Sequence, residues 1–148
     1  MTTIVGRPAL QGAHVDLTLR LTTEALALVD EGAKELGVLQ GRSPSRAAWL
    51  RSFLDSTFPH SSLEEILSAD RFCEQYPEER LEAETPHRVT VRIEMQHRIW
   101  LRQFECYVQS LDWAREVDRN MATLILLAEH AALFNAKMRR AIKEAGVM

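Results

Sequence analysis

The segment Val15-Asp16-Leu17-Thr18-Leu19-Arg20-Leu21 alternates apolar and polar residues without a fault. That is the period of a β-strand with one face buried. A lone strand leaves unpaired N–H and C=O groups along both edges and is a liability until it finds a partner. The same alternation returns at Val89-Thr90-Val91-Arg92-Ile93-Glu94-Met95. Two such strands can pair antiparallel, with Val15, Leu17, Leu19 and Leu21 beside Val89, Val91, Ile93 and Met95 on one face. The rest of the chain is then expected to be helical and to cover that face. This predicts a mainly α fold built on a small two-stranded antiparallel β-ribbon.

The helical patterns after each strand are also repeated. After the first, Thr22 is a natural N-cap, and Leu26, Val29, Ala33 and Leu36 recur at helical spacing before Gly37, a residue suited to a C-terminal stop. Ser43-Pro44 offers an N-cap with proline at the first helical position. Ala47, Leu50, Phe53 and Leu54 then mark one side of a second helix that ends near Phe58-Pro59. After the second strand, Trp100, Leu101, Phe104, Val108 and Leu111 form a stripe, and Asp118 caps a last long helix over Arg119 to Ala145. A repeat matching in element order and spacing is stronger than either strand alone. It divides the chain into a first unit at 13–58, an acidic connector at 59–86 and a second unit at 87–145, the two units forming one compact domain. Within the connector, Leu63, Ile66, Leu67 and Phe72 predict a short helix between Ser62 and Gln75. Tyr76 to Pro86 reads as an acidic tether, long enough to span the unit.

Net charge is −3, which at first argues against a nucleic-acid partner. Its distribution removes the objection: between Pro59 and Pro86 eight acids meet two arginines, a net of −6, so the remainder carries +3. No run reaches the roughly 18 to 20 apolar residues of a membrane span; the longest, Met121 to Phe134, is broken by Glu129 and His130. Met1 to Gly12 lacks the basic start and apolar run of a secretory signal. Cys73 and Cys106 lie far apart, so a cytoplasmic chain with incidental thiols is expected. His14, His60, His87, His97 and His130 fall in no metal spacing, and no glycine-rich phosphate loop is present. The expectation is a chain that is not an enzyme and takes neither metal nor cofactor.

Pairing the strands leaves Asp16, Thr18 and Arg20 of one, and Thr90, Arg92 and Glu94 of the other, on the face away from the helices. A two-stranded ribbon fits the major groove of B-DNA, where such side chains bond to base edges. Here the residues resemble a family. VDLTLRLTTEALALVDEGAKELG followed by GRSPSRAAWLRSFL is similar to the ribbon-helix-helix (MetJ/Arc-type) superfamily, usually homodimers with one strand and two helices per subunit. The resemblance covers Ala13 to Phe58 closely and His87 to Phe134 more loosely. It implies two copies fused into an intramolecular pseudo-dimer, as in accessory proteins of conjugation and T-DNA transfer. It also implies sequence-specific binding of double-stranded DNA, for transcription regulation or plasmid transfer, with Asp16, Thr18, Arg20, Thr90, Arg92 and Glu94 as base contacts. The family anchors a phosphate at the start of the second helix, which here implies Ser43, the amides of Ser45 and Arg46, and Arg42, with Arg88 as a further phosphate contact. Free N–H groups and a positive dipole end make such a helix terminus a ready anion seat. In the second copy that site begins with Asp118, whose carboxylate repels phosphate, so a weaker anchor is expected there. A second copy on DNA, or a protein partner, is a further expectation.

Symmetric pairing of the two patterns puts Thr18 opposite Arg92 and Asp16 opposite Glu94, and like charges directly opposite are unfavourable. Either the register differs, or these acids sit at frayed ends, or they accept hydrogen bonds from cytosine amino groups. Arg7 in the N-terminal arm lies within reach of DNA, or belongs to a free end. Trp49, Phe53, Trp100 and Phe104 are expected in the core. Met121 to Phe134, apolar on nearly every side, is expected to be buried all round, and Lys137, Arg139, Arg140 and Lys143 to form a solvated face or else to help grip a phosphate backbone. The competing functional reading is a protein-interaction module that keeps this fold without binding DNA. The acidic connector, the apolar last helix and the drifted second copy motivate it.

Overall fold

Both alternating segments are strands in the computed structural model, which describes residues 13–112 and 116–146; Arg7 lies outside the described residues. Along the chain run β1 (His14–Leu21), α1 (Thr23–Gln40), α2 (Arg46–Thr57), three short helices α3 (Leu63–Ile66), α4 (Ala69–Gln75) and α5 (Glu78–Leu81), then β2 (His87–Glu94), α6 (Met95–Leu111) and α7 (Arg119–Glu144). β1 and β2 pair antiparallel with each other within the chain. Leu17, Leu19, Leu21, Val89, Val91 and Ile93 are buried on one face. A two-stranded ribbon is marginal in water by itself, so the helices packed on that face hold it. At about 1.5 to 3 kcal/mol per fully buried aliphatic side chain, these six residues are a large part of what fixes the strands to the core.

Each strand runs directly into a helix. Thr22 caps α1, its hydroxyl accepting from the Ala25 N–H at 3.0 Å. Glu94 holds the N-cap position of α6. His97, buried, accepts from the Glu94 N–H through Nδ1 at 3.2 Å. Its other nitrogen therefore carries the proton and donates to Asp55 at 2.8 Å. Met95 consequently opens a helix and is exposed, not a fourth buried residue of the second strand.

Two helix boundaries differ from the sequence reading. α1 continues through Gly37 and stops at Gly41, whose φ of 65° suits the left-handed C-terminal position. Gly37 instead makes room, since a Cβ there would lie 2.7 Å from the Arg42 carbonyl oxygen. The cap of α2 is Ser45, whose Oγ accepts from the Ala48 N–H at 3.1 Å. Ser43 and Pro44 lie in the preceding exposed loop, because the chain needs those residues to turn back over Gly37.

The core joins both units. Trp49 and Phe53 stack at 5.0 Å between ring centroids, with Phe134 edge-on to both. Phe104 is buried, while Trp100 is half-buried and stacks on Phe58. α7 is less enclosed than its composition suggests: Ala128, Ala132 and Leu133 face out, Leu133 being 58% exposed. In its basic tail Arg139 bonds Glu31 and Glu35 at 2.7 and 2.8 Å, tying α7 to α1. The connector is also built in. Ile66, Leu67, Phe72 and Tyr76 are buried, and the Tyr76 hydroxyl donates to Glu129. Tyr76 thus belongs to the core and not to a free tether. Among the described residues no helix is long and apolar enough to cross a membrane, and no group of three or more His, Cys, Asp or Glu is placed to hold a metal ion.

Candidate nucleic-acid interface

The register decides which side chains share the outward face. Thr18 lies opposite Thr90, Asp16 opposite Arg92, Arg20 opposite Arg88, and His14 opposite Glu94. The expected pairing of Thr18 with Arg92 and of Asp16 with Glu94 is therefore displaced by two residues. A two-residue shift keeps every side chain on its expected face but changes its neighbour. It replaces a repulsive Asp16–Glu94 pair with an attractive one: Arg92 Nε donates to Asp16 Oδ1 at 3.0 Å. β2 begins at His87, two residues before the alternation from Val89, and Glu94 still pairs with His14 while the Met95 N–H donates to the Ala13 carbonyl at 2.9 Å.

The backbone then sets how close these pairs come. In an antiparallel ladder, opposed residues alternate between exchanging two backbone hydrogen bonds and exchanging none, and the second kind brings side chains nearer. Arg20 belongs to the second kind, because its N–H donates to Asn120 Oδ1 at 2.7 Å and its C=O accepts from Asn120 Nδ2 at 3.0 Å. By the two-residue period, Thr18–Thr90 and Asp16–Arg92 belong to it too. Arg51 Nη1 accordingly reaches the outward-edge carbonyl of Arg92 at 2.8 Å. In the centre the Thr18 and Thr90 hydroxyls bond at 3.0 Å.

The outward face thus has three ranks. Asp16 and Arg92 neutralise one another at one end, exposed by 58% and 55%. The threonine pair is neutral in the middle. At the other end two arginines stand directly opposite, and among the described residues no carboxylate lies within ion-pair distance of Arg20 or Arg88. Like charges so placed destabilise a ribbon unless an anion or a row of acceptors meets them. Glu94, expected among the base contacts, is half-buried at the start of α6. Arg88, expected at a phosphate, projects from the ribbon face instead.

The two flanks of the ribbon differ in charge. On the β2 side α2 reaches the ribbon through Arg51; Arg42 and Ser43 are exposed in the loop before α2, and Ser45 is occupied as its cap. Arg46 is held by Asp30 through two hydrogen bonds, of 2.7 and 3.0 Å, an arrangement that also raises its pKa. Beside β1 lies the N-terminus of α7, where Asp118 is the cap, its carboxylate accepting from the Met121 N–H at 2.8 Å. Thr18, Arg20, Ala83, Thr85, Asp118 and Asn120 line one groove there, and the exposed Glu82 and Glu84 belong to the same stretch of connector.

Sequence reasoning missed Asn120 and Arg51, which satisfy the ribbon's outer edges. Neither carries a local signal: both are polar helix residues, and their targets lie 100 and 41 positions away. No family model, no curated protein sequence and no solved structure matches this chain.

Proposed function

We propose that the outward face of the ribbon enters the major groove of double-stranded DNA and that the chain is a sequence-specific DNA-binding protein, a regulator of transcription or an accessory factor in plasmid DNA transfer. In this reading the two strand-helix-helix units are a fused pseudo-dimer related through the Thr18–Thr90 pair. One observation carries it: Arg20 and Arg88 are opposed on an exposed face with no carboxylate partner among the described residues, in a chain whose net charge is −3. Thr18, Thr90, Asp16 and Arg92 complete the reading surface, and Glu94 stands at its edge. Arg42, Ser43 and the backbone amides of Ser45 and Arg46 hold a phosphate at the start of α2, where a helix N-terminus favours an anion.

The test is fluorescence anisotropy with labelled duplexes between about 50 and 200 mM salt, a range over which counterion release weakens phosphate-dependent binding steeply. Arg20→Ala is expected to cost about 1 to 3 kcal/mol on the preferred duplex. Binding that ignores salt and survives Arg20→Ala would sink the proposal. A second reading, a module that takes a protein partner on this fold, is favoured by Asp118 and the connector acids that border β1. It predicts little duplex binding at any salt.

A further inference from the structure

The three ranks of the outward face are chemically different, and on the DNA-binding reading, which this inference rests on, each rank meets a different part of the groove. Alternate residues of a strand are about 6.8 Å apart, and base pairs rise by about 3.4 Å, so three ranks span about five base pairs. At one end Arg20 and Arg88 form a close pair. Each guanidinium matches the O6 and N7 acceptors of a guanine, and one base pair offers only one such edge. Two arginines therefore ask for two adjacent G·C pairs.

The far end carries a different combination. Arg92 bonds Asp16 Oδ1 through its Nε at 3.0 Å. Its terminal N–H groups remain as donors, and Asp16 keeps an oxygen as acceptor. The major-groove edge of a G·C pair offers acceptors on guanine and the N4 amino donor on cytosine. A coupled arginine and aspartate match both halves of a single pair. Between these ends, the threonine hydroxyls bond each other at 3.0 Å and have less left to discriminate with.

We infer that the ribbon reads an asymmetric element with G·C pairs at both ends, two adjacent pairs through Arg20 and Arg88 and one through the Asp16–Arg92 couple, around a weakly specified centre. Asp16 is a specificity residue here, because its charge opposes the phosphate backbone while its acceptor selects cytosine. Arg88 reads a base, a role that the family resemblance assigns instead to Glu94.

Selection from a random duplex library, run on the full chain and on Arg88→Ala and Asp16→Ala, tests this. The parent is expected to enrich one non-palindromic core with G·C at both ends. Arg88→Ala relaxes the double end alone and loses about 5- to 150-fold on the parent's best duplex, the value of one bidentate arginine–guanine contact. Asp16→Ala relaxes the other end alone and keeps the parent's preference at the double end, a combination that a folding defect does not produce. Circular dichroism melts of both variants confirm that the fold is kept. If both variants enrich the parent's core unchanged, or if that core is palindromic, the inference fails while the DNA-binding reading stands. Enrichment of no duplex by the parent overturns both.

Discussion

Gly32 lies in the middle of α1, where glycine costs about 1 kcal/mol against alanine, yet a Cβ there would meet Trp49 Nε1 at 2.0 Å and Asn135 Oδ1 at 2.4 Å. The indole donates to Asn135 at 2.8 Å, and Asn135 Nδ2 donates to the Leu28 carbonyl at 2.9 Å, with Trp49 and Asn135 both buried. Gly32→Ala is therefore expected to destabilise, by about 1 to 3 kcal/mol through overpacking. A gain in urea midpoint, as helix propensity alone predicts, would show that α1 and α7 are not this close. Trp49 was legible as core from its helical spacing with Phe53. Gly32 and Asn135 were not, because their partner comes from another helix and a polar residue in an amphipathic pattern reads as surface. Tyr76 offers a second test. Burial first, and then the Glu129 carboxylate, push its phenol well above the usual range. A raised folded-state pKa favours the folded chain fully below the unfolded value, about 10, and that contribution is lost as pH rises beyond it. Tyr76→Phe should accordingly show a shallower loss of stability between about pH 9 and 11, read as denaturant midpoints; an unchanged slope would place the alkaline sensitivity elsewhere.

At the scale of elements the two second helices, α2 and α7, begin differently, and this asymmetry can be measured. Ser45 caps α2 with a neutral hydroxyl, whereas Asp118 caps α7 with a carboxylate beside Thr18 and Arg20. Asparagine caps a helix as well as aspartate does, so Asp118→Asn should leave stability nearly unchanged. On the DNA-binding reading it also removes a repulsive charge from the β1 flank. Duplex affinity is then expected to rise roughly 2- to 5-fold, the equivalent of one weakly screened charge near a helix end. An unchanged affinity, with stability preserved, would mean that no phosphate approaches that flank. Asp118 was readable in advance, since aspartate before a long apolar run is a strong N-cap signal. The caps and stops of the first unit were less so. Ser43-Pro44 and Ser45 present two serines two residues apart, and Gly37 and Gly41 present two glycines within four. Local chemistry allows either member of each pair. The choice is made by how tightly the loop after α1 must fold back, and only the tertiary structure fixes that. Register is not legible for a related reason: alternation defines the faces of β1 and β2, but a two-residue slide leaves every face unchanged, so the pattern does not choose which residues stand opposite.

For the whole molecule the connector matters most, because the same acidic segment can be a tether or a part of the core. Its charge pattern suggests a solvated strap, and the exposed Glu78, Glu79, Glu82 and Glu84 fit that picture. Its apolar residues behave otherwise: Ile66, Leu67, Phe72 and Tyr76 are between 1% and 3% exposed. The Tyr107 hydroxyl bonds the Leu67 carbonyl and His130 bonds that of Ile66, both at 2.7 Å, so α6 and α7 both hold the segment. At about 1.5 to 3 kcal/mol for each large apolar side chain, these four contribute roughly 6 to 12 kcal/mol. Domain stabilities are about 5 to 15 kcal/mol in total. Replacing residues 63–76 with a glycine-serine chain of equal length should therefore abolish cooperative unfolding, although both strands and all four long helices remain. A tether alone would tolerate that exchange, because lengthening or loosening a flexible loop costs only about 0.6 kcal/mol per doubling. Guanidinium denaturation followed by circular dichroism decides between them. A variant that still unfolds in one sharp transition near the parent midpoint would return the connector to the role its charges suggest. Loss of the transition would mean that the connector completes the core that the ribbon and four helices leave open.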